Sequence, residues 1–100
     1  MQLRELAHAR TGDKGSVISI CLIARRDEYF EILSQQVTAM RVTAHFADLV
    51  ERPVIRYEIP HLFAFNFVLH RPENQAVTRS LALDAHGKCL ASALLAMEIE

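Results

Sequence analysis

Cysteine is scarce in this chain: Cys21 and Cys89 lie far apart, show no Cys-x-x-Cys spacing and sit among apolar neighbours. That leaves no basis for a redox or zinc motif, and the expectation is two buried thiols. An excess of either charge is also missing. Eleven Lys and Arg against twelve Asp and Glu give a net charge of −1 and a pI near 6.5, with the cations scattered along the chain. A nucleic-acid partner needs a basic stripe, and none is present. No apolar run approaches the ~18 residues of a membrane span, and Met1-Gln2-Leu3-Arg4-Glu5 lacks the apolar core of a secretion signal. No membrane partner is expected, and the expected compartment is cytoplasmic. Repeats, linkers and low-complexity segments are absent too.

What the chain does have is apolar residues, at 51% with a mean hydropathy of +0.12. One hundred residues are read as one domain spanning 1–100, large enough for a real core. A small domain has proportionally more surface to cover, so part of this apolar excess is expected to meet another chain.

Chemistry concentrates in Arg10-Thr11-Gly12-Asp13-Lys14-Gly15, followed by Ser16 and an apolar run. Glycine permits positive φ and close backbone approach, so N–H groups can converge on an anion while Arg10 or Lys14 adds charge. The same residues also compose an ordinary solvated turn between two strands. The Gly-x-x-x-x-Gly-Lys-Ser/Thr spacing is not met and the run enters a strand rather than a helix, which argues against a nucleoside triphosphate. Asp13 would repel an anion unless it pairs with Arg10 or Lys14.

Leu3, Leu6 and Ala7 suggest a short first strand. Val17 to Ala24, nearly all apolar and rich in β-branched residues, reads as a buried central strand. Asp27 is placed to cap a helix carrying Tyr29, Phe30, Leu33 and Val37 at helical spacing. Thr38 is placed to cap a second helix, with Val37 and Val42 forming a hydrophobic staple and Phe46, Leu49 and Val50 extending its face toward Pro53. In Val54 to Ile59 the alternation sets Ile55, Tyr57 and Ile59 on a dry face and Arg56 and Glu58 on a wet one. Phe63, Phe65, Phe67 and Leu69 then share a side, completing a hairpin. Glu73 to His86 reads as a helix stopped by Gly87, with a hairpin turn at residues 85–88 as the alternative. In the tail, Cys89, Ala91, Ala93, Leu95, Met97 and Ile99 form a period-two face against a helical propensity. With a strand there, the order is β-α-β-β-α-β after a short extra N-terminal strand. This predicts an α+β, ferredoxin-like split βαβ fold: an antiparallel sheet with helices on one face and an apolar face left uncovered.

Taken in order, His8-Ala9-Arg10-Thr11-Gly12-Asp13-Lys14-Gly15, Ile23-Ala24-Arg25-Arg26, Val42-Thr43-Ala44-His45-Phe46, Arg56-Tyr57-Glu58-Ile59-Pro60, Asn66-Phe67-Val68-Leu69 and Ser80 to Lys88 resemble the carboxy-terminal domain of AtuA-type acyclic terpene utilisation proteins. The resemblance runs over almost the whole chain and implies a ferredoxin-like fold in the breakdown of branched isoprenoid acids. In that family the domain follows a larger one or stands as a separate small protein, and this chain resembles the separate form. No catalytic residue comes with the resemblance. Ser19 stands where the family usually has asparagine, and Arg71 to Ala76 stands where a glycine-rich stretch is common.

The predicted ligand-binding residues are Arg10, Gly12, Asp13, Lys14, Gly15, Ser16 and Asn66. Asn66 stands out because it lies between two phenylalanines, where an amide must find partners, in the chain or in a ligand. His8, His45, His61, His70 and His86 match no zinc signature, so neither metal nor other cofactor is expected. His45 is the best proton-transfer candidate, with a purely structural role as the alternative. Glu58 and Asp84 are a conceivable carboxylate pair that no spacing brings together. Three functions are compatible: an accessory subunit docking through its sheet on a larger AtuA-type protein, a self-sufficient homo-oligomeric enzyme on small acids or acyl-CoA, and a non-catalytic regulator that binds an anionic small molecule such as an acyl-CoA.

Overall fold

In the computed structural model, which describes residues 1–14, 17–47, 49–70 and 88–99, the sheet is built from β1 (Ala7–Lys14), β2 (Val17–Ala24), β3 (Ile55–Ile59) and β4 (Ala64–His70). All three pairings are antiparallel, in the order β1-β2-β4-β3. Strands β2 and β3 therefore run parallel with β4 inserted between them, and the connection from β2 to β3 is helical. This is the split βαβ of an α+β, ferredoxin-like fold.

The near-continuous apolar run of β2 is sorted by the pleat. Ile18, Ile20 and Leu22 are buried, while Val17, Ser19, Cys21 and Ile23 stay half-buried on the other face. Strand β4 does the same, with Phe65, Phe67 and Leu69 inward and Asn66, Val68 and His70 outward. The inward set meets Leu33, Val37, Val42 and Phe46 from the helical connection. Phe30 stacks on Phe65 at 4.8 Å and 7°.

Three short helices form the opposite layer: α1 (Phe30–Gln36), α2 (Ala39–His45) and α3 (Lys88–Leu95). Before α1 comes a three-residue 3-10 turn, Asp27–Tyr29, whose cap is Arg26 and not Asp27. The cap at α2 falls where the sequence puts it: the Thr38 hydroxyl accepts from the Arg41 N–H at 3.1 Å. Val37 and Val42 on either side are fully buried. Helix α2 ends at His45, earlier than the apolar spacing suggests. The Thr43 hydroxyl accepts the Val54 N–H at 2.8 Å, which draws the following segment back along the helix, and Phe46, Leu49 and Val50 pack on the core from turns instead.

The tail departs most from the expectation of a strand. It is helix α3, with Leu90 and Leu94 buried one turn apart. The sheet position a terminal strand would fill belongs to β1, an eight-residue strand preceded by a 3-10 turn at Leu3–Glu5. Gln2 and Glu98 form an antiparallel bridge, and the N-terminal ammonium donates to the Ile99 carbonyl at 3.1 Å. Arg41 Nη2 fixes the same end by donating to the Glu98 carbonyl at 2.6 Å. The segment predicted as a helix or hairpin over 73–88 lies outside the described residues, except that Lys88 opens α3.

Candidate functional site

Cross-strand partners point to the same side of a sheet, so the pairing register assigns residues to its two faces. Arg10 pairs with Cys21, Cys21 with Asn66, and Asn66 with Tyr57. These four form one row across the whole sheet, on the face opposite the helices. The adjacent row is Gly12, Ser19, Val68 and Ile55. His8, Ile23, Val17 and Ile59 continue the same face at its ends.

This open face is apolar at one edge and cationic at the other. On β3, Tyr57 is 53% exposed and Ile55 42%. The sequence set Ile55, Tyr57 and Ile59 on a dry face and Arg56 and Glu58 on a wet one, but the structure leaves Ile55 and Tyr57 exposed and turns Arg56 inward, while Glu58 stays exposed. Arg56 points to the helical layer, where its Nη1 donates to the carbonyls of Ser34 at 2.8 Å and Val37 at 3.0 Å. It is drawn inward because α1 ends there with carbonyls that have no helical partner.

Arg10 is exposed on β1 and, among the described residues, has neither an ion pair nor a hydrogen bond. The side-chain polar atoms of Ser19, Asn66 and Tyr57 are likewise unengaged among the described residues. Asn66 is half-buried, and among the described residues its side chain ties no neighbouring segment to the sheet. Gly12 faces Ser19 closely: a Cβ at Gly12 would stand 3.0 Å from the Ser19 hydroxyl oxygen. The missing side chain leaves that hydroxyl uncovered.

The predicted binding loop is for the most part strand. Arg10 to Lys14 all lie in β1, and only residues 15 and 16, which carry Gly15 and Ser16, fall outside the described residues. By register Asp13 pairs with Ile18 and Lys14 with Val17. Asp13 thus shares the row of the core residues Ile18 and Leu69 and not that of Arg10. Gly12 misleads as a turn signal because an edge strand tolerates glycine. Arg10, Gly12 and Asn66 do come together on the open face. Ser19 and Tyr57 join them there, and the signal that could have found them was the period-two pattern of the strands carried across the sheet.

Of the other titratable candidates, His45 and Glu58 have structural partners, while the buried Nδ1 of His70 has none among the described residues. His45 Nε2 lies 2.6 Å from the Ala93 carbonyl, joining α2 to α3. Glu58 pairs with Arg56 at 2.9 Å, and Asp84 lies outside the described residues. Cys21 is half-buried on the open face and not fully buried as its neighbours suggest; the side chain of Cys89 is outside the described set. Among the described residues no cluster of three His, Cys, Asp or Glu side chains could hold a metal ion. No described helix is long and apolar enough to cross a membrane.

No curated protein and no solved structure matches the sequence. A family model does: that of the AtuA ferredoxin-like domain covers residues 1–100, and the chain, whose split βαβ sheet agrees with it, belongs to that family.

Proposed function

We propose that this chain is a single non-catalytic binding domain that works through the open face of its sheet, taking an anionic small molecule with a branched apolar body. The observation that carries the reading is the row Arg10, Cys21, Asn66 and Tyr57, flanked by Ser19, in which the polar side chains are unengaged among the described residues beside the apolar Val68 and Ile55. Arg10 supplies the charge for a carboxylate or phosphate, and a charge-assisted hydrogen bond contributes about 1.5–3 kcal/mol. Asn66, Ser19 and Tyr57 offer neutral donors and acceptors. Val68 and Ile55 offer apolar contact. Gly12, and Lys14 through its register partner Val17, would extend the same site along β1, whereas Asp13 falls in the core row.

The family's setting in acyclic terpene utilisation supports branched isoprenoid acids or their CoA thioesters as the ligand class. In that setting the domain is an accessory part, cytoplasmic, whose sheet also meets another polypeptide: a larger AtuA-type subunit or a second copy of itself. Thermal unfolding in the presence of a branched unsaturated carboxylic acid and of its CoA thioester tests the reading. Ligand at a hundredfold its Kd should stabilise the protein by about 2.7 kcal/mol by mass action. Arg10→Ala should abolish that shift. Hydratase or thioesterase turnover by the isolated protein would replace this reading with the homo-oligomeric enzyme.

A further inference from the structure

We propose that the open face is covered by a second copy of this chain, related by a two-fold axis that runs along the strands between β2 and β4, so that Arg10 of each copy lies over Tyr57 of the other. The inference rests on the reading of this face as the working surface, with the second copy and the anionic ligand competing for Arg10.

The argument begins with the asymmetry of the face. Its exposed Arg10 lies on one edge strand, β1, and its exposed aromatic ring, Tyr57, on the other, β3, in the same row. The described strand positions that make up the face carry no Asp or Glu, and register adds the cation Lys14 beside Val17, so no strand position of the face supplies a carboxylate to neutralise Arg10. Only two simple in-plane two-fold axes bring such a face onto itself. An axis across the strands stacks β1 on β1 and sets Arg10 against Arg10, which like-charge repulsion disfavours. An axis along the strands stacks β1 on β3 and sets each guanidinium over a phenol ring, an attractive arrangement.

The same operation matches shape as well as charge. It carries Ile55, the most protruding aliphatic side chain of β3, over Gly12, where β1 has no side chain, and Val68 over Ser19. In the row of Arg10 it sets Cys21 over Asn66. One symmetry element therefore satisfies two adjacent rows at once. Aligned sheets pack at about −30°, so the match is closest near the axis and loosens at the corners.

The area is sufficient. Strands about 4.8 Å apart with residues rising about 3.4 Å give a four-stranded face of roughly 20 Å by 20 Å. With side-chain relief, apposing two such faces removes on the order of 1,000 Å² from water, the size at which specific interfaces begin. The dimer should thus be reversible, with dissociation in the micromolar range.

Sedimentation equilibrium of the full chain across nanomolar to hundred-micromolar protein tests this directly. A monomer–dimer equilibrium is expected, weakened roughly tenfold or more by Arg10→Glu and by Ile55→Glu. Both sites are exposed, and circular dichroism confirms that each variant is folded. The axis is read by disulfide capture in a Cys21→Ser, Cys89→Ser background: Arg10→Cys mixed with Tyr57→Cys should give a cross-linked heterodimer, and Arg10→Cys alone should not. A monomer at every concentration, a dimer indifferent to both charge variants, or capture of Arg10→Cys with itself in place of the mixed pair overturns the proposal. A monomer that still binds the branched acid in an Arg10-dependent manner sinks the dimer alone. A dimer with the expected cross-link but no ligand shift sinks the ligand reading alone.

Discussion

The guanidinium carbon of Arg56 lies 4.9 Å from the centroid of the Phe65 ring. The same side chain donates to two carbonyls at the end of α1 and pairs with Glu58. One residue thus joins the edge of the sheet to the helical layer through charge, hydrogen bonding and ring contact. Arg56→Ala should destabilise the fold by about 2–3 kcal/mol, since hydrogen bonds from a charged group contribute about 1.5–3 kcal/mol. Arg56→Lys should recover only part of this, because an ammonium cannot reproduce the planar fork. Urea unfolding read as a change in midpoint at constant slope checks both. Glu58→Gln, on an exposed partner, should stay within about 1 kcal/mol.

Thr38 satisfies an N–H at the start of α2 that has no helical acceptor. Thr38→Ala should therefore cost about 1 kcal/mol and Thr38→Ser much less. The same unfolding measurement distinguishes them.

The tail offers a test that separates two readings of one segment. With α3 helical, Leu90 and Leu94 face the core and Ser92 faces water. Leu94→Ala should then cost about 2–5 kcal/mol, while Ser92→Ala should be neutral or slightly stabilising. A strand would put Leu90 and Leu94 on the side away from Ala91, and neither truncation would then be severe.

Residues of the open face should be separable from stability. Arg10→Ala and Tyr57→Ala remove exposed side chains that have no partner among the described residues. Each should leave the unfolding free energy within about 0.5 kcal/mol of the parent. Loss of ligand response or association in these variants then reports on the surface and not on folding.

What could be read from the chain follows from how strong its local patterns are. Strand β2 and the β3–β4 hairpin were legible because long apolar runs bounded by turn residues leave few alternatives. Thr38 was legible because a cap is a local device. The tail was not, because Ala, Cys and Leu supply apolar residues at both helical and alternating spacing, and only the burial of Leu90 and Leu94 decides between them. Nor was β1, whose inward positions include Ala7 and Ala9 and whose Gly12 mimics a turn. The inward turn of Arg56 in β3 was hidden for a different reason: charge marks it as a surface residue, and the carbonyls that draw it inward belong to a helix twenty residues earlier. Of the site, Arg10 and Asn66 could be named, but their alignment in one row needs the register of three strands at once.

The bridge between Gln2 and Glu98 and the bond from Met1 to Ile99 leave entry and exit side by side. Residues 1–2 and 98–99 are thus held as close as neighbouring strands. Joining them with a brief polar peptide and opening the chain at another surface turn should cost little loop entropy, giving a circular permutant that refolds. The same geometry would let the whole unit be spliced into a loop of a host protein with its strands undisturbed, since the host would see two ends no farther apart than neighbouring strands.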